Sequence, residues 1–501
     1  MVACGTEKAG HEVKFLDLAF SRNPAKETRA AAEKFSPEVI GISIRNMDNC
    51  NFDAPRFYLD EVRDDVVKPA REAAPNAKVV IGGAAVNLAP WDILQHVQAD
   101  FALAGEGEKA LPDFLDGVAR NADLQRIPGV LQRNGVKPKP SLAPQFSFDR
   151  VFNGEPPAGR SIVERFETEG KSDLHRWVDW PTYISHGAPY SIQTKRGCAL
   201  RCVYCAYNNI EGRQYRCREP KLIADEIEYV VKEHGVRAID FVDSTFNIPA
   251  PHAIALCDEL AKRKLPEEVE LSTMGVNPSV MGDDLIDSMR RAGFRHLMCT
   301  PESASDVTLK SLRKGFTRDQ VIYAAEQLKK NNMKTLWFFM FGAPGETKET
   351  IQESLEFCER YIVETDVAFF TAGIRVYPGT PLEKQCKDEG WFAESDNLIQ
   401  PSWYVAPTVS VADMYRLIIE GAIDHPNWVT AAEGILNPGI VSFIDKGYRL
   451  FGGTGPLWAK LPQMFRFMSK LGVRKRVLLK INDLLISRTP SQLPNLKKAQ
   501  A

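Results

Sequence analysis

Short apolar runs alternate with amphipathic segments along residues 1–118 of the chain. Four runs have the length and composition of buried strands, at residues 13–18, 39–44, 79–83 and 101–105. The segments between them suit helices, such as residues 25–34. Strands that alternate with helices predict an open parallel sheet covered on both faces, the doubly wound α/β class. In such sheets, ligands bind beyond the carboxyl ends of the strands.

The same alternation returns between residues 190 and 395. Six apolar runs predict strands, at residues 191–194, 238–242, 270–273, 296–299, 335–341 and 367–376. Residues 221–233 predict a helix with one apolar face, and Pro220 suits its first turn. About six strand–helix units predict a partial (β/α)6 barrel with its active site at the carboxyl ends of the strands.

Residues 121–189 are rich in proline, which predicts a surface linker with a hairpin near residues 129–133. We therefore expect four parts in this chain of 501 residues. They are a flavodoxin-like α/β domain at 1–120, the linker at 121–189, the barrel at 190–395 and a helical, basic C-terminal region at 396–501.

Charge is distributed unevenly along the chain, although the net charge is only −2. From residue 446 to the end there are twelve Lys or Arg and a single acid, Asp483, so the rest of the chain is acidic. Apolar residues recur at helical spacing in this basic tail, from Leu457 to Leu471. Such a stripe is more often part of a domain core, but it can also lie on an anionic membrane surface.

The composition is that of a globular protein, with 44% hydrophobic residues. No run approaches the ~18 apolar residues of a membrane span, and the N-terminus has no basic stretch followed by an apolar one. These features predict a cytoplasmic protein, with peripheral membrane contact through the basic tail as an additional hypothesis. We expect no nucleic-acid partner.

Three cysteines, Cys198, Cys202 and Cys205, lie within eight consecutive positions. Three closely spaced thiolates can bind three irons of a 4Fe–4S cluster, which leaves the fourth iron open to a small molecule. A structural zinc site needs four ligands, usually in paired short spacings, and the sequence offers no matching pair. Disulfide frameworks belong to short secreted chains. The spacing therefore favours an iron–sulfur cluster.

Residues 196–205, with their C-x3-C-x2-C spacing, resemble the signature of the radical S-adenosylmethionine (SAM) superfamily. The resemblance implies that the open iron chelates SAM and that Tyr204 packs near the adenine. Segments at the predicted strand ends also resemble those that lie beside SAM in this family. The residues concerned are Asp243, Ser244, Glu302, Ser303, Gly342 and Pro344, while Arg375 begins a segment, residues 375–381, that resembles cobalamin-dependent members of the family. Asp243 would bind the SAM ammonium group or form a turn or helix cap. Arg375 would neutralise a phosphate or carboxylate, or be a solvated charge.

The N-terminal region resembles the cobalamin-binding domain that precedes many radical SAM cores. The likeness rests on residues 37–43, 80–83 and 105–111. It implies a cobalamin site at the strand ends, formed by Ser43, Gly82, Gly83, Gly105 and Glu106. Glycine lets the backbone approach a bulky ligand without a Cβ clash. We expect the first strand of this domain to be missing. The sequence therefore does not identify a lower ligand of cobalt. The alternative is a flavodoxin-like domain with another ligand or none.

Together the two resemblances imply a cobalamin-dependent radical SAM enzyme that methylates an unactivated carbon. The implied cofactors are a 4Fe–4S cluster, SAM and cobalamin: a 5′-deoxyadenosyl radical would take hydrogen from the substrate, and methylcobalamin would donate the methyl group. We expect a small-molecule or lipid substrate and an external electron donor of the flavodoxin or ferredoxin type. One alternative is a radical cyclisation or rearrangement with the same cofactors. Another is a non-catalytic cobalamin sensor or carrier.

Overall fold

The structure is a computed structural model that describes residues 2–135, 177–265, 267, 269–431 and 456–492. Two largely parallel sheets organise these residues, one of four strands and one of seven. Part of the predicted linker, at 136–176, lies outside the described residues, as do 432–455 and 493–501 of the C-terminal region.

The first sheet has the strand order β1–β2–β3–β4. Its strands are β1 (Val39–Ser43), β2 (Lys78–Gly82), β3 (Phe101–Leu103) and β4 (Val130–Gln132). The first three strands run parallel, whereas β4 pairs antiparallel with β3. Residues 129–133, predicted as a local hairpin, therefore supply an edge strand of this sheet instead.

Helices cover both faces of the first sheet, as the doubly wound prediction requires. They are α1 (Val2–Lys8), α2 (Pro24–Phe35), α3 (Leu59–Glu61), α4 (Lys68–Ala73), α5 (Pro90–Val97) and α6 (Gly107–Ala119). The π-helical stretch Val62–Val67 connects α3 to α4. Val79 and Ile81 of β2 share one apolar cluster with Ile93 of α5, while Val80 shares another with Phe114 of α6. Successive residues of β2 thus point into two separate cores.

Residues 13–18, predicted as a buried strand, are irregular in the structure. A buried strand pairs with a neighbour and buries its apolar side chains, whereas Phe15 and Leu16 are exposed and no described strand pairs with this segment. The segment instead packs on the end of the linker: the Asp17 carboxylate accepts a hydrogen bond from Tyr183 at 2.7 Å, and the Phe15 ring lies 6.3 Å from that of Trp177. The prediction of a strand here was wrong.

The second sheet is an open, partial barrel of parallel strands in the order β15–β12–β11–β10–β9–β8–β5. The strands are β5 (Tyr190–Ile192), β8 (Ala238–Phe241), β9 (Glu270–Val276), β10 (Phe294–Glu302), β11 (Lys334–Phe341), β12 (Val367–Ala372) and β15 (Trp428–Thr430). Two short antiparallel ribbons accompany it, β6 (Lys195–Arg196) with β7 (Arg216–Cys217) and β13 (Ile374–Arg375) with β14 (Trp403–Tyr404). All six predicted strands of the barrel are present.

Helices precede, connect and follow the strands of the barrel, and most of them have a buried face. They are α7 (Trp180–Ser185), α8 (Tyr207–Glu211), α9 (Pro220–His234), α10 (Ala250–Arg263), α11 (Asp283–Ala292), α12 (Asp306–Ser311), α13 (Arg318–Lys330), α14 (Lys348–Tyr361) and α15 (Pro381–Asp388). Pro220 occupies the first turn of α9, whose apolar face is buried, as predicted.

The described residues of the C-terminal region form β14, β15 and the helices α16 (Val411–Asp424), α17 (Leu461–Lys470) and α18 (Val473–Gln492). Arg474, in the basic tail, is buried and donates hydrogen bonds to the carbonyls of Ala422 and His425 at the end of α16, both at 3.1 Å. Leu478 joins the barrel core, whereas Phe467 is 64% exposed. None of the helices in the described ranges is long and apolar enough to span a bilayer.

Candidate functional site

The three cysteines lie on the loop that follows β6 at the carboxyl end of the barrel. Cys198 and Cys202 are buried and Cys205 is half-buried. The loop is fixed at both ends, because the Cys198 N–H donates to the Gly212 carbonyl at 3.1 Å and the Val203 N–H donates to the Leu312 carbonyl at 3.1 Å. The local sequence thus forms a closed turn anchored to the barrel wall.

This donor set suits a cluster better than a single ion. In the described part of the chain, no three His, Cys, Asp or Glu side chains converge on one metal ion. A 4Fe–4S cluster does not require its ligands to converge on one ion, since each thiolate binds a different iron. Burial raises the pKa of Cys202 and raises that of Cys205 to about 12. Burial thus favours the protonated thiol at Cys202 and Cys205, and metal binding would release these protons.

A buried ion pair adjoins the cysteine loop. Glu302, the last residue of β10, has a positive φ of 62° and contacts the Lys314 ammonium, which also lies 3.2 Å from the Tyr204 hydroxyl. Burial would lower the pKa of Lys314, but the Glu302 carboxylate and the neighbouring cysteines together raise it. The predicted residues Tyr204 and Glu302 therefore come together, joined by a lysine that the sequence did not indicate.

Asp243 and Ser244 support the start of the cysteine loop. The Asp243 carboxylate accepts hydrogen bonds from the Thr194 N–H at 2.7 Å, the Thr194 hydroxyl at 2.6 Å, the Lys195 N–H at 3.2 Å and the Lys195 ammonium at 3.1 Å. The Ser244 hydroxyl donates to the Gly197 carbonyl at 3.3 Å. Both Asp243 oxygens are thus engaged by the residues that lead into the loop. These bonds join two distant segments and form neither a turn nor a helix cap, and the role of Asp243 toward SAM stays a prediction.

Ser303, Gly342 and Pro344 lie at neighbouring strand ends. The hydroxyls of Ser303 and Ser354 are 3.1 Å apart. Gly342 has a φ of 99°, and Pro344 is buried in the turn that follows. The N–H groups of this turn point at the Glu346 carboxylate, which accepts from Ala343 at 3.0 Å. Burial raises the pKa of Glu346 to about 7.

Arg375 binds a carboxylate of the protein itself. Its Nε donates to Asp48 Oδ2 at 2.8 Å, and its Nη2 donates to the carbonyls of Leu398 at 3.1 Å and Ile399 at 3.2 Å. Both charged side chains are 1% exposed. Asp48 lies in the loop after β1, so this pair connects the first domain to the barrel. The structure does not leave Arg375 as a solvated charge.

The predicted cobalamin residues Ser43, Gly82 and Gly83 lie at the carboxyl ends of β1 and β2. Ser43 is exposed. Gly83 has a φ of 99°, and a β-carbon there would lie 2.7 Å from the Ile44 carbonyl oxygen, so the close approach of the two strand ends requires glycine. In the loop after β1, Asp53 Oδ1 is buried and accepts no hydrogen bond from a described residue. Such an acceptor suits amide donors like those of the corrin side chains.

Gly105 and Glu106 follow β3 and contact the barrel. The Gly105 N–H donates to Asn87 Oδ1 at 2.7 Å, and Asn87 Nδ2 is 3.4 Å from the Ile210 carbonyl of the barrel. Glu106 lies 2.7 Å from Arg216 and 3.4 Å from Arg196. Glu106 thus bonds to two arginines beside the cysteine loop.

A cavity of about 520 Å³ lies elsewhere, between the first domain and the residues that precede and follow α15. Trp91, Arg126 and Glu383 are among its lining residues, and no predicted site residue lines it. The structure therefore places Tyr204, Glu302 and Asp243, together with Ser244 and Glu106, around the cysteine loop and away from this cavity.

Comparison with known proteins agrees with this arrangement. The B12 binding domain model matches residues 1–115, and the radical SAM superfamily model matches residues 192–358. The tryptophan 2-C-methyltransferase of Streptomyces laurentii is 26% identical over 431 residues, which cover 76% of this chain and 70% of the relative. The anaerobic magnesium-protoporphyrin IX monomethyl ester cyclase of Cereibacter sphaeroides is 27% identical over 393 residues, which cover 77% and 59%.

Among solved structures, the radical SAM methyltransferase TsrM of Kitasatospora setae, determined with cobalamin and a [4Fe–4S] cluster bound, superposes with a TM-score of 0.76. The match covers 96% of this chain and 95% of TsrM at 22% sequence identity, and it supports the predicted fold. The expected cofactors, a 4Fe–4S cluster, SAM and cobalamin, are confirmed. The chain belongs to the radical SAM superfamily and carries a B12-binding domain in front of its radical SAM core.

Proposed function

We propose that this protein is a cobalamin-dependent radical SAM methyltransferase that acts on a carbon atom of a small molecule. The observation that carries the proposal is the contact between Glu106, directly after β3, and the arginines beside Cys198. Because of this contact, the ligand-binding edge of the first sheet lies beside the loop with the three cysteines. A methyl donor and a substrate radical must meet within bonding reach. The methyltransferases among the relatives support the same reaction.

The chain's own residues would hold, orient and shield the cofactors. Cys198, Cys202 and Cys205 would bind the cluster, and the strand ends at Ser43 and Gly83 would bind cobalamin. When bound, the cluster supplies an electron to SAM and cobalamin supplies the methyl group. The SAM site would be formed by the strand ends around the cysteine loop, from Ser244 through Glu302 and Ser303 to the turn at Gly342 and Pro344.

The proposal is tested with anaerobically reconstituted protein, methyl-deuterated SAM and a panel of substrates that includes tryptophan. We expect 5′-deoxyadenosine and S-adenosylhomocysteine in similar amounts, and a deuterated methyl group in the product by mass spectrometry. Cys198→Ala should abolish both products. Cys358→Ala, which changes a buried thiol of α14 outside the loop, is the matched control and should retain them.

Radical cyclisation is a second candidate, because one relative is a cyclase. It predicts 5′-deoxyadenosine without S-adenosylhomocysteine and a product without label. A cobalamin sensor or carrier predicts no SAM cleavage by the wild-type protein. The same assay therefore separates all three functions.

Two partners belong to this proposal. A flavodoxin or ferredoxin would donate the electron, so replacing a chemical reductant with a reduced flavodoxin should sustain turnover.

Peripheral contact with an anionic bilayer would use Phe467 and Leu471, which are 64% and 59% exposed and lie beside the exposed Lys470. The protein should sediment with phosphatidylglycerol vesicles and not with phosphatidylcholine vesicles. Phe467→Ser should reduce sedimentation, and equal sedimentation of both proteins would contradict this contact.

A further inference from the structure

The cysteine loop begins on a ribbon with two opposed cations. β6 and β7 pair antiparallel with Arg196 directly opposite Arg216. Residues that face each other in an antiparallel pair project from the same side of the ribbon. The two side chains are only 10% and 3% exposed. Like charges opposite one another destabilise a ribbon, and burying charge without compensation is costly.

Carboxylates of the other domain lie against this ribbon. Glu108 Oε1 is 2.5 Å from Arg196 Nη2, and Glu106 accepts from Arg216 Nη1 at 2.9 Å. These carboxylates are 7% and 9% exposed. Burial would raise the pKa of Glu108, but the attraction of Arg196 outweighs burial and lowers it. Glu106 and Glu108 lie before and within the first turn of α6, so the first domain brings two negative charges to two positive charges.

The ribbon in turn holds the first cluster ligand. Arg216 Nη2 donates to the Glu211 carbonyl at 2.7 Å. The Glu211 carboxylate accepts from the Gly197 N–H at 3.1 Å, and the Gly212 carbonyl accepts from the Cys198 N–H at 3.1 Å. A displaced Arg216 would therefore move the two residues that fix the backbone at Gly197 and Cys198.

We propose that Glu106 and Glu108 are positioning residues for the cysteine loop. Docking of the B12-binding domain neutralises the arginine ribbon, and the ribbon then holds Cys198 in its cluster-binding position. The cobalamin-carrying half of the protein thereby controls the geometry of the cluster-carrying half through these ion pairs. This inference rests on the proposed cofactor sites but not on the identity of the reaction.

The test is hydrogen–deuterium exchange of the full-length protein without cofactors, read by mass spectrometry. Glu106→Gln and Glu108→Gln should accelerate exchange roughly tenfold in peptides covering residues 196–205 of the other domain, because the loop opens more often. Reciprocally, Arg216→Gln should accelerate exchange at residues 105–110. Glu72→Gln is the matched control, since Glu72 forms an exposed pair with Arg29 at 2.7 Å within the first domain. It should leave residues 196–205 unchanged.

The double variant Arg196→Gln, Glu108→Gln keeps the proposal testable if a single variant folds poorly. It removes one charge of each sign, so residues 196–205 should exchange more slowly than in either single variant. Iron content after reconstitution should accordingly be higher in the double variant than in either single variant. Unchanged exchange across the interface, or acceleration confined to the substituted domain, would overturn the proposal. Because no substrate or cofactor is present in the exchange experiment, an error in the proposed reaction would not alter its outcome.

Discussion

Gly197 is the residue whose substitution tests the cysteine loop most directly. It precedes Cys198 and has a φ of 90°, a conformation that side chains with a β-carbon rarely adopt. A β-carbon at this position would lie 2.7 Å from the carbonyl carbon of Gln214 and closer still to its oxygen. We therefore predict that Gly197→Ala prevents the loop from closing.

The free-energy cost of closing the loop in Gly197→Ala has two contributions. Positive φ costs a residue with a β-carbon about 1–2 kcal/mol. In addition, Gln214 must recede by roughly 1 Å, since carbon atoms rest about 3.5–4.0 Å apart. That movement strains the hydrogen bond between Cys198 and Gly212, and a buried bond lost costs about 1–3 kcal/mol. We expect a total of about 2–5 kcal/mol, which corresponds to at least a roughly 25-fold loss of the closed loop at about 1.4 kcal/mol per factor of ten.

Gly235→Ala provides the matched control for this prediction. Gly235 ends α9 with a φ of 62°, but nothing lies within 4 Å of its β-carbon position, so only the conformational cost applies. After anaerobic reconstitution, Gly197→Ala should bind less than roughly a tenth of the wild-type iron and sulfide. Gly235→Ala should bind the wild-type amount. Full iron content in Gly197→Ala, with wild-type absorbance, would refute the reasoning.

Three further predictions concern charges buried away from the cysteines. Burial raises the pKa of Asp366 to about 7, so its stabilising contribution is complete below its ordinary pKa of 3.8 and is lost as the pH rises through 7. Relative to Asp366→Asn, the free energy of unfolding of the wild type should fall by about 4 kcal/mol between pH 4 and 7 in urea titrations, and parallel profiles would contradict this. Asp48→Asn leaves Arg375 buried without its carboxylate and should cost about 3 kcal/mol, seen as a lower midpoint of thermal unfolding. Arg474→Met removes donors from the last carbonyls of α16 and should cost about 2 kcal/mol by the same measurement, whereas an unchanged midpoint would show that the guanidinium contributes nothing.

The three parallel strands of the first sheet and six of the seven strands of the second could be predicted because each is a short apolar run, but their ends could not, and β15 was not predicted. β10 was predicted at 296–299 and extends to Glu302, because pairing with β11 continues past the apolar residues. Residues 13–18 have the composition of a strand, but they pack on residues 177–183 instead of pairing with β1. The domain limits at 120, 189 and 395 remain predictions. The pairing of β15 with β12 is relevant to the last limit, because it brings residues 428–430 into the barrel sheet.

The site residues differ in whether the local sequence is enough to identify them. The cysteines could be identified from the sequence because their spacing is a local property of one loop. The partners of the other residues lie far along the chain: Lys195 is 48 positions from Asp243, and Asp48 is 327 positions from Arg375. Sequence spacing carries no signal for such pairs, since the fold alone brings them together. For this reason Lys314 and Glu108 were not among the predicted site residues.

The edge position of β1 has a consequence for handling the protein at high concentration. Within the described residues, one side of Val39–Ser43 pairs with β2 and the other pairs with no strand. These five residues contain neither proline nor charge, the features with which natural proteins block sheet edges. An edge of this kind is a template for the backbone of another chain. Concentration-dependent association through β1 would therefore compete with crystallisation, and a lysine at Ile40, which is half-buried, would be the substitution of choice to suppress it.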